Sequence, residues 1–286
     1  MHWSRSHGPT LRSPSPLPPK PASAALLRSA RRLLRRKERK LAGRFLAEGR
    51  SAVSEALGSP AYVAEVLVAD NLIDRYADLL NRAASHGVPV WHAPATAVAE
   101  VSDTVTPQGI VAVCQNVDIS LAEALTDSAK LVVLCDRIRD PGNLGTVIRC
   151  ADAFGADAVL VSDNSVDIYN AKAVRASTGS LFHLPLVLEV DLSMAVAGAR
   201  SIGLQVFGAD GGATLTIEDL SRSGDLARST MWVLGNEAWG LPADRAEQLD
   251  RLVALPMYGR AESLNLSTAA AVLLYATATA QRASEP

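Results

Sequence analysis

The 286-residue sequence holds only three cysteines, Cys114, Cys135 and Cys150, far apart, in no CxxC pair and with no histidine at zinc-ligand spacing. That scarcity excludes a disulfide-stapled module and a zinc finger, and points to a chain kept reduced in the cytoplasm. Also missing is an apolar run long enough to cross a bilayer; the longest candidate, Ala269 to Tyr275, is short and reads as a buried helix. The first residues carry Arg, Ser and Pro in place of the apolar stretch of a secretory signal, which argues against export. Neither the phosphate loop GxxxxGKS/T nor the dinucleotide fingerprint GxGxxG occurs, which sets aside the common nucleotide-dependent enzymes.

What is there is an ordinary globular composition, 48% hydrophobic and 20% charged, in a chain long enough for two domains and a sizeable core. The formal net charge of −2 hides an asymmetry. Residues 1–44 hold twelve of the 28 basic groups and one of the 30 acidic ones, Glu38, leaving sixteen basic and 29 acidic groups in the acidic body. The dense stretch with Arg31, Arg32, Arg35, Arg36, Lys37, Arg39, Lys40 and Arg44 would attract a polyanion and release its counterions, with RNA the natural candidate. A solvated charged helix or a tail on acidic lipids is the alternative for that stretch taken alone.

Residues 1–24 contain six prolines and read as a disordered Pro/Ser-rich leader, with order expected from Ala25. Residues 25–117 alternate helix-like and strand-like pieces: Phe45–Leu57 helical, Val63–Val68 apolar, Leu72–Ala84 helical, Val88–Trp91 and Ile110–Cys114 extended. This predicts a small α/β domain. The acidic, Ser-bearing stretch 118–127 reads as the linker. From 128 to 286 a second alternation places strands at Leu131–Cys135, Ala158–Val161, Gln205–Phe207, Met231–Leu234 and Leu252–Leu255, with helices between them and a last helix over Thr268–Ala280. Regular strand–helix succession predicts a mostly parallel sheet covered on both faces.

In such a sheet ligands sit beyond the carboxyl ends of the strands, so the segments that follow the strands carry the chemistry. The first, Asp136-Arg137-Ile138-Arg139-Asp140-Pro141-Gly142-Asn143 running on to Arg149, makes a Pro-Gly turn in which Asn143 suits a helix N-cap. In the second, Leu234-Gly235-Asn236-Glu237-Ala238-Trp239-Gly240, Gly235 allows close backbone approach to a ligand. Glu237 suits a cap or a substrate contact, and Trp239 reads as core. The third, Leu255-Pro256-Met257-Tyr258 through Ser263-Leu264-Asn265-Leu266-Ser267, offers alternating polar groups, with Ser267 or Ser263 as the cap of the last helix.

Together, in this order, the three segments resemble the three signature motifs of the SpoU/TrmH branch of the SPOUT methyltransferase superfamily across residues 128–286. Residues 29–117, with Phe45-Leu46-Ala47-Glu48-Gly49 near their start, resemble more weakly the ribosomal-protein-like RNA-binding domain that often precedes that catalytic domain. The resemblance implies a parallel α/β domain tied in a deep trefoil knot and S-adenosylmethionine as cofactor. It also implies a homodimer with the site near the subunit interface, no metal, and methylation of an RNA ribose 2′-hydroxyl. Leu234, Gly235, Leu255, Met257 and Leu264 would line the cofactor pocket, and Asn143, Arg149, Glu237, Ser263 and Asn265 match the family's catalytic positions.

The resemblance gives proton removal to Arg149, although a guanidinium stays protonated to a pKa of at least ~12. Either burial depresses it, or Arg149 orients a phosphate and stabilises the developing alkoxide while another group takes the proton. Large-subunit ribosomal RNA is the expected substrate. Transfer RNA is the runner-up, and a non-catalytic RNA-binding protein is the reading from another class.

Overall fold

The computed structural model describes residues 18–284, so most of the Pro/Ser-rich leader lies outside the described residues. Order does not wait for Ala25. Lys20–Pro21 form a short strand, β1, and Ser23 caps helix α1 (Ala24–Arg32), its side chain accepting from the Leu26 amide at 3.2 Å. The basic stretch continues into α2 (Arg36–Ala42), closed by Gly43 in the left-handed region.

Phe45–Leu57 is not one helix. Arg44–Glu48 form β2, Gly49 turns the chain at φ +88°, and only α3 (Arg50–Ala56) is helical. A run of apolar residues without clear period fits either state; antiparallel pairing with the last strand of the domain decides for a strand. The remaining elements are β3 (Val63–Ala69), α4 (Ala77–Ser85), β4 (Val90–Ala93), α5 (Ala95–Ala99) and β5 (Ile110–Gln115). The expected helix over Leu72–Ala84 begins only at Ala77, after two 3-10 turns. The sheet order is β1-β4-β3-β5-β2, with parallel and antiparallel pairs mixed.

The segment read as a linker folds: Ser120 and Glu123 form a reciprocal capping box on α6 (Leu121–Ala124), and Ile119 and Leu121 pack against the second domain. There the chain runs β6 (Leu131–Cys135), α7 (Pro141–Phe154), β7 (Ala158–Ser162), α8 (Ala171–Ser177), β8 (Leu186–Val190), α9 (Leu192–Ser201), β9 (Gln205–Ala209) and α10 (Ile217–Ser223). It ends with β10 (Thr230–Leu234), α11 (Ala243–Ala246), β11 (Arg251–Val253) and α12 (Leu266–Ala283). The six strands are all parallel, in the order β11-β9-β10-β6-β7-β8.

Strand alternation sorts this sheet into two buried faces. Leu131, Val133 and Cys135 join Val159, Val161, Trp232 and Leu234 beneath residues of α7, α10 and α12, whereas Val132, Leu134, Leu160, Met231 and Val233 lie beneath α9. Fully buried Trp232 stacks edge-on against Phe207 and donates its indole N–H to Thr277 Oγ1 at 2.9 Å, so α12 is pinned by a polar bond as well as by packing. Burial pushes the Cys135 thiol up to about 12, with the charges of Glu237 and Asp136 adding to the effect.

The two domains share one apolar core. Phe45 of β2 stacks on Tyr169 at 4.6 Å and packs against Phe182 at 5.9 Å. Tyr169 in turn donates its hydroxyl to Asp118 at 2.5 Å and accepts from the amides of Val117 and Asp118 at 2.8 and 3.1 Å. Charged struts surround that contact: Arg39 to Asp167, Lys40 to Glu189, and Arg175 to Glu48.

Candidate active site

Register brings the first two motifs side by side. β6 and β10 pair from Leu131 opposite Thr230 to Cys135 opposite Leu234, so both strands end level, and the amide of Asp136 donates to the Leu234 carbonyl at 2.8 Å. β11, by contrast, lies beyond β9 at the edge, while α12 packs on α7 and β6. The connection from β11 to α12 therefore passes over the carboxyl ends of β9 and β10, which is where the third motif sits.

Motif one starts its helix differently from the expectation. Asp140 is the N-cap, its carboxylate accepting the Asn143 amide at 2.8 Å, and Pro141 occupies the first turn, where its missing N–H costs nothing. Asn143 is thus helical, two residues inside. Lys172 bonds the Asp140 carboxylate at 2.6 Å and, with the amides of Asn143 and Gly142, holds it below the usual carboxylate range.

Freed from capping, the Asn143 side chain serves as a relay. Its Nδ2 donates to Glu237 Oε1 at 3.2 Å, and its Oδ1 accepts from Asn265 Nδ2 at 3.0 Å. Glu237 also accepts the amides of Arg139 and Asp140, each at 3.2 Å, so the motif-two carboxylate grips the backbone of the motif-one loop. Asn236 adds a further tie, donating from Nδ2 to the Arg137 carbonyl at 2.8 Å. Asn265, not Ser263 or Ser267, caps α12: its Oδ1 accepts from the amide and hydroxyl of Ser267 at 2.9 and 2.7 Å. One hydrogen-bonded chain, Glu237 to Asn143 to Asn265, thereby joins all three motifs.

Two expected residues stay outside that chain. Ser263 is exposed and makes no hydrogen bond among the described residues. Arg149 is exposed and has no pairing partner among the described residues; it lies about 9 Å farther along α7 than Asn143 and about 120° around it, because six residues turn a helix through about 600°. With Asn143 inside the helix, the two side chains do not share a face. Ala153, one turn on from Arg149, is also exposed on α7, and Val272 and Tyr275 are exposed on α12, with Tyr275 edge-on to Phe154 at 5.6 Å.

The cofactor-pocket expectation falls on a distinctive stretch. Gly235 is required by space: a Cβ there would lie 2.5 Å from the carbonyl carbon and oxygen of Gly240, whose backbone closes a small loop with Asn236 through paired bonds of 3.0 and 2.9 Å. Trp239 at the tip of that loop is 55% exposed, not core, because Asn236 and Gly240 pin the loop base and project 237–239 outward. From Leu255 to Leu264 no backbone group makes a backbone–backbone hydrogen bond among the described residues, while Leu255, Pro256 and Met257 are half-buried and Leu264 is 39% exposed. Free amides and carbonyls beside apolar side chains are the donor set that an adenine edge and a thioether tail require, so the residues present fit S-adenosylmethionine.

The RNA-binding expectation needs one correction. Arg39 is buried; its guanidinium donates to Asp167 Oδ2 at 2.8 and 3.0 Å and to the carbonyls of Leu33 and Leu34 at 2.8 and 2.9 Å, so four of its five N–H groups are committed within the chain. Of the other seven, Arg31 pairs with Glu100, Arg32 with Glu38 and Lys40 with Glu189. Arg35, Arg36, Lys37 and Arg44 are exposed and make no side-chain bond among the described residues. Sequence reasoning passed over Asp140 and Asn236, although Asp before Pro is an N-cap signal and Gly-Asn after a strand marks a turn.

Residues 130–275 match the model of the SpoU rRNA Methylase family, and residues 25–112 match that of an MRM3-like substrate binding domain. The chain is 38% identical over 245 residues to a 23S rRNA (guanosine(2553)-2′-O)-methyltransferase of Bacillus subtilis, an alignment covering 86% of this chain and 92% of the relative. Among solved structures, the SpoU methyltransferase AviRb of Streptomyces viridochromogenes in complex with AdoMet superposes with a TM-score of 0.78 at 29% identity, over 92% of this chain and 100% of that one. An AdoMet-bound rRNA methyltransferase from Sinorhizobium meliloti gives a TM-score of 0.74 at 25% identity, over 93% of this chain and 98% of that one.

Proposed function

This chain belongs to the SpoU rRNA methylase family, and from that premise we propose that it methylates a ribose 2′-hydroxyl of large-subunit ribosomal RNA, in the cytoplasm, as a homodimer. The observation that carries the reading is the chain of hydrogen bonds from Glu237 through Asn143 to Asn265, which fixes three distant motifs at one place. Its dependence on S-adenosylmethionine follows from the family. Bound there, the cofactor supplies a methyl on a sulfonium, whose departure leaves a neutral thioether and needs no Lewis acid.

The residues of this chain then have distinct tasks. Glu237 holds the Arg139–Asp140 backbone, and with it the N-terminal turn of α7, in the geometry that receives the acceptor strand. Asn143 and Asn265 hold α7 and α12 in register, so that the loop carrying Met257, Ser263 and Leu264 keeps its place over the strand ends. Ser263, exposed and unbonded, is free to meet substrate. Arg149 is likewise uncommitted, exposed and without a hydrogen bond or ion pair among the described residues. An exposed cation is suited to orienting a phosphate and stabilising the developing alkoxide, which is the role we assign to it.

Homodimerisation accounts for the placement of Arg149. The exposed Val272, Tyr275 and Ala153 give α7 and α12 an uncovered apolar side. A second copy seated on it would bury that surface and carry Arg149 to the partner's pocket. The knot implied by the resemblance would lie in the 255–265 connection over β9 and β10.

Tritiated S-adenosylmethionine, purified protein and transcripts of 23S rRNA segments test the proposal. Label is expected in a dinucleotide that resists alkaline hydrolysis, since a methylated 2′-oxygen cannot attack the adjacent phosphate. Arg149→Ala should abolish transfer while sparing cofactor binding; near-normal transfer by that variant would refute its role. Label in transfer RNA alone would overturn the ribosomal assignment.

A further inference from the structure

Between α2 and the loops that follow β6 and β7 lies a cleft of about 890 Å³, within the range of ligand sites. Its lining carries four cations and four carboxylates; two pairs of them cancel, and the carboxylates of Asp118 and Asp163 remain. Arg39 is bound to Asp167 and Lys40 to Glu189, while Asp118 receives the Tyr169 hydroxyl. The two cations left over are Arg36, from the first domain, and Arg139, from the second; both are exposed and neither side chain makes a bond among the described residues.

The floor has the opposite character. Asn116 Oδ1 and Asp163 Oδ1 are buried acceptors without a hydrogen-bond partner, though the second forms an ion pair with Arg245 at 3.9 Å and the other oxygen of Asp163 accepts from Asn164 at 3.0 Å. A buried acceptor left unpaired costs about 1–3 kcal/mol, so the cleft is chemically incomplete. The missing group must offer donors inward and a negative charge outward. A nucleotide does both, through its ribose hydroxyl or exocyclic amine and its phosphate. A free carboxylate or phosphate would satisfy the rim and leave the floor unpaired.

Arg139 ties this cleft to the methyl-transfer site. Its side chain lines the cleft, while its amide is held by Glu237 at 3.2 Å, the same carboxylate that grips Asn143. Resting on the function proposed above, we propose that the cleft seats a nucleotide flanking the acceptor ribose, its phosphate held between Arg36 and Arg139 and its donor-bearing edge turned to Asn116 and Asp163. Arg139 is then a positioning residue for the RNA strand, and the domain boundary is itself part of the substrate site.

The test is equilibrium binding of a labelled 23S rRNA transcript to the full-length protein across a range of salt. Each single-strand phosphate contact contributes a slope of about 0.7 in log affinity against log salt, so Arg36→Gln with Arg139→Gln should flatten the slope by about 1.4 and weaken binding at least tenfold at low salt. The corresponding double Lys variant keeps both charges and should recover the slope. Asn116→Ala should weaken binding at an unchanged slope. Affinity for S-adenosylmethionine, measured by calorimetry on the same samples, should stay constant and reports that each variant is folded. A double Gln variant with wild-type slope and affinity overturns the proposal. Wild-type protein that binds RNA with this slope yet transfers no methyl would instead overturn the enzymatic reading and leave the cleft standing.

Discussion

Removing the Arg39 side chain separates two roles that its basic neighbourhood confounds. The guanidinium makes two bonds to Asp167 and two to the carbonyls that end α1, with 6% and 15% of the paired side chains exposed. Arg39→Ala would leave a buried carboxylate without its cation, and breaking such a pair from one side costs about 3–5 kcal/mol. Against a total stability of about 5–15 kcal/mol that is a large fraction. With an unfolding entropy of about 2.1 cal/mol/K per residue, a chain of 286 residues loses roughly 5–8 °C in Tm.

Thermal and urea denaturation of Arg39→Ala, Asp167→Ala and the double variant measure it. Because the bond is shared, the double variant should lose much less than the sum of the singles. Arg36→Ala on the same helix should leave Tm within about 1 °C, since its exposed side chain makes no hydrogen bond or ion pair among the described residues. A ten-fold loss of RNA affinity in Arg39→Ala with an unmoved Tm would show that Arg39 is a phosphate ligand after all and sink the argument.

Other perturbations probe other links. Gly235→Ala places a methyl 2.5 Å from the Gly240 carbonyl and should cost about 1–3 kcal/mol and raise the dissociation constant for S-adenosylmethionine; calorimetry giving wild-type affinity would contradict the packing account. His183 bonds Asp152 at 2.8 Å and Glu55 at 3.2 Å, and Asp152 first, then Glu55, raises its pKa above 6.5. Its stabilisation is therefore complete below the unfolded value near 6.5 and fades as pH rises through the folded value. Wild-type Tm minus that of His183→Gln should shrink from pH 6 to pH 8, and a difference that grows with pH would have the wrong sign. Tyr275→Arg should halve the mass found by sedimentation and abolish methyl transfer while cofactor binding persists; a monomeric variant with full activity would exclude a site shared between protomers.

The strands of the parallel sheet are legible because they are buried on both faces. Leu-Val-Val-Leu-Cys at 131–135 can hardly be anything else once Pro and Gly follow it. β8 is hidden in the sequence because Glu189 interrupts the apolar run Leu186–Val190, at the place where the strand bends with φ +52° and slips register against β7. The cap of α12 was legible only as a choice of polar residues. What selects Asn265 is a tertiary requirement, that its Nδ2 reach Asn143, and no local pattern contains that. Arg39 has the same lesson in stronger form. Nothing distinguishes it from Arg35 or Arg36 in composition, and only the approach of Asp167, 128 positions away, turns one of a row of cations into a buried strut.

These contacts share a logic that explains why a site so exposed can be geometrically firm. Every residue in the Glu237–Asn143–Asn265 chain is solvent-accessible, and each bond alone adds only about 0.5–1.5 kcal/mol. Each is nevertheless anchored to a different rigid element: Glu237 to the end of β10, Asn143 to the first turn of α7, Asn265 to the cap of α12. Trp232 locks α12 to β10 from below through Thr277, so the relay closes a ring whose other half is core. Loosening any one bond then leaves two elements still held at native separation. What the ring cannot hold is Arg149, which leaves α7 on another face. A positioning frame within one subunit and an uncommitted cation on another face of α7 are the two halves that the proposed dimer would bring together.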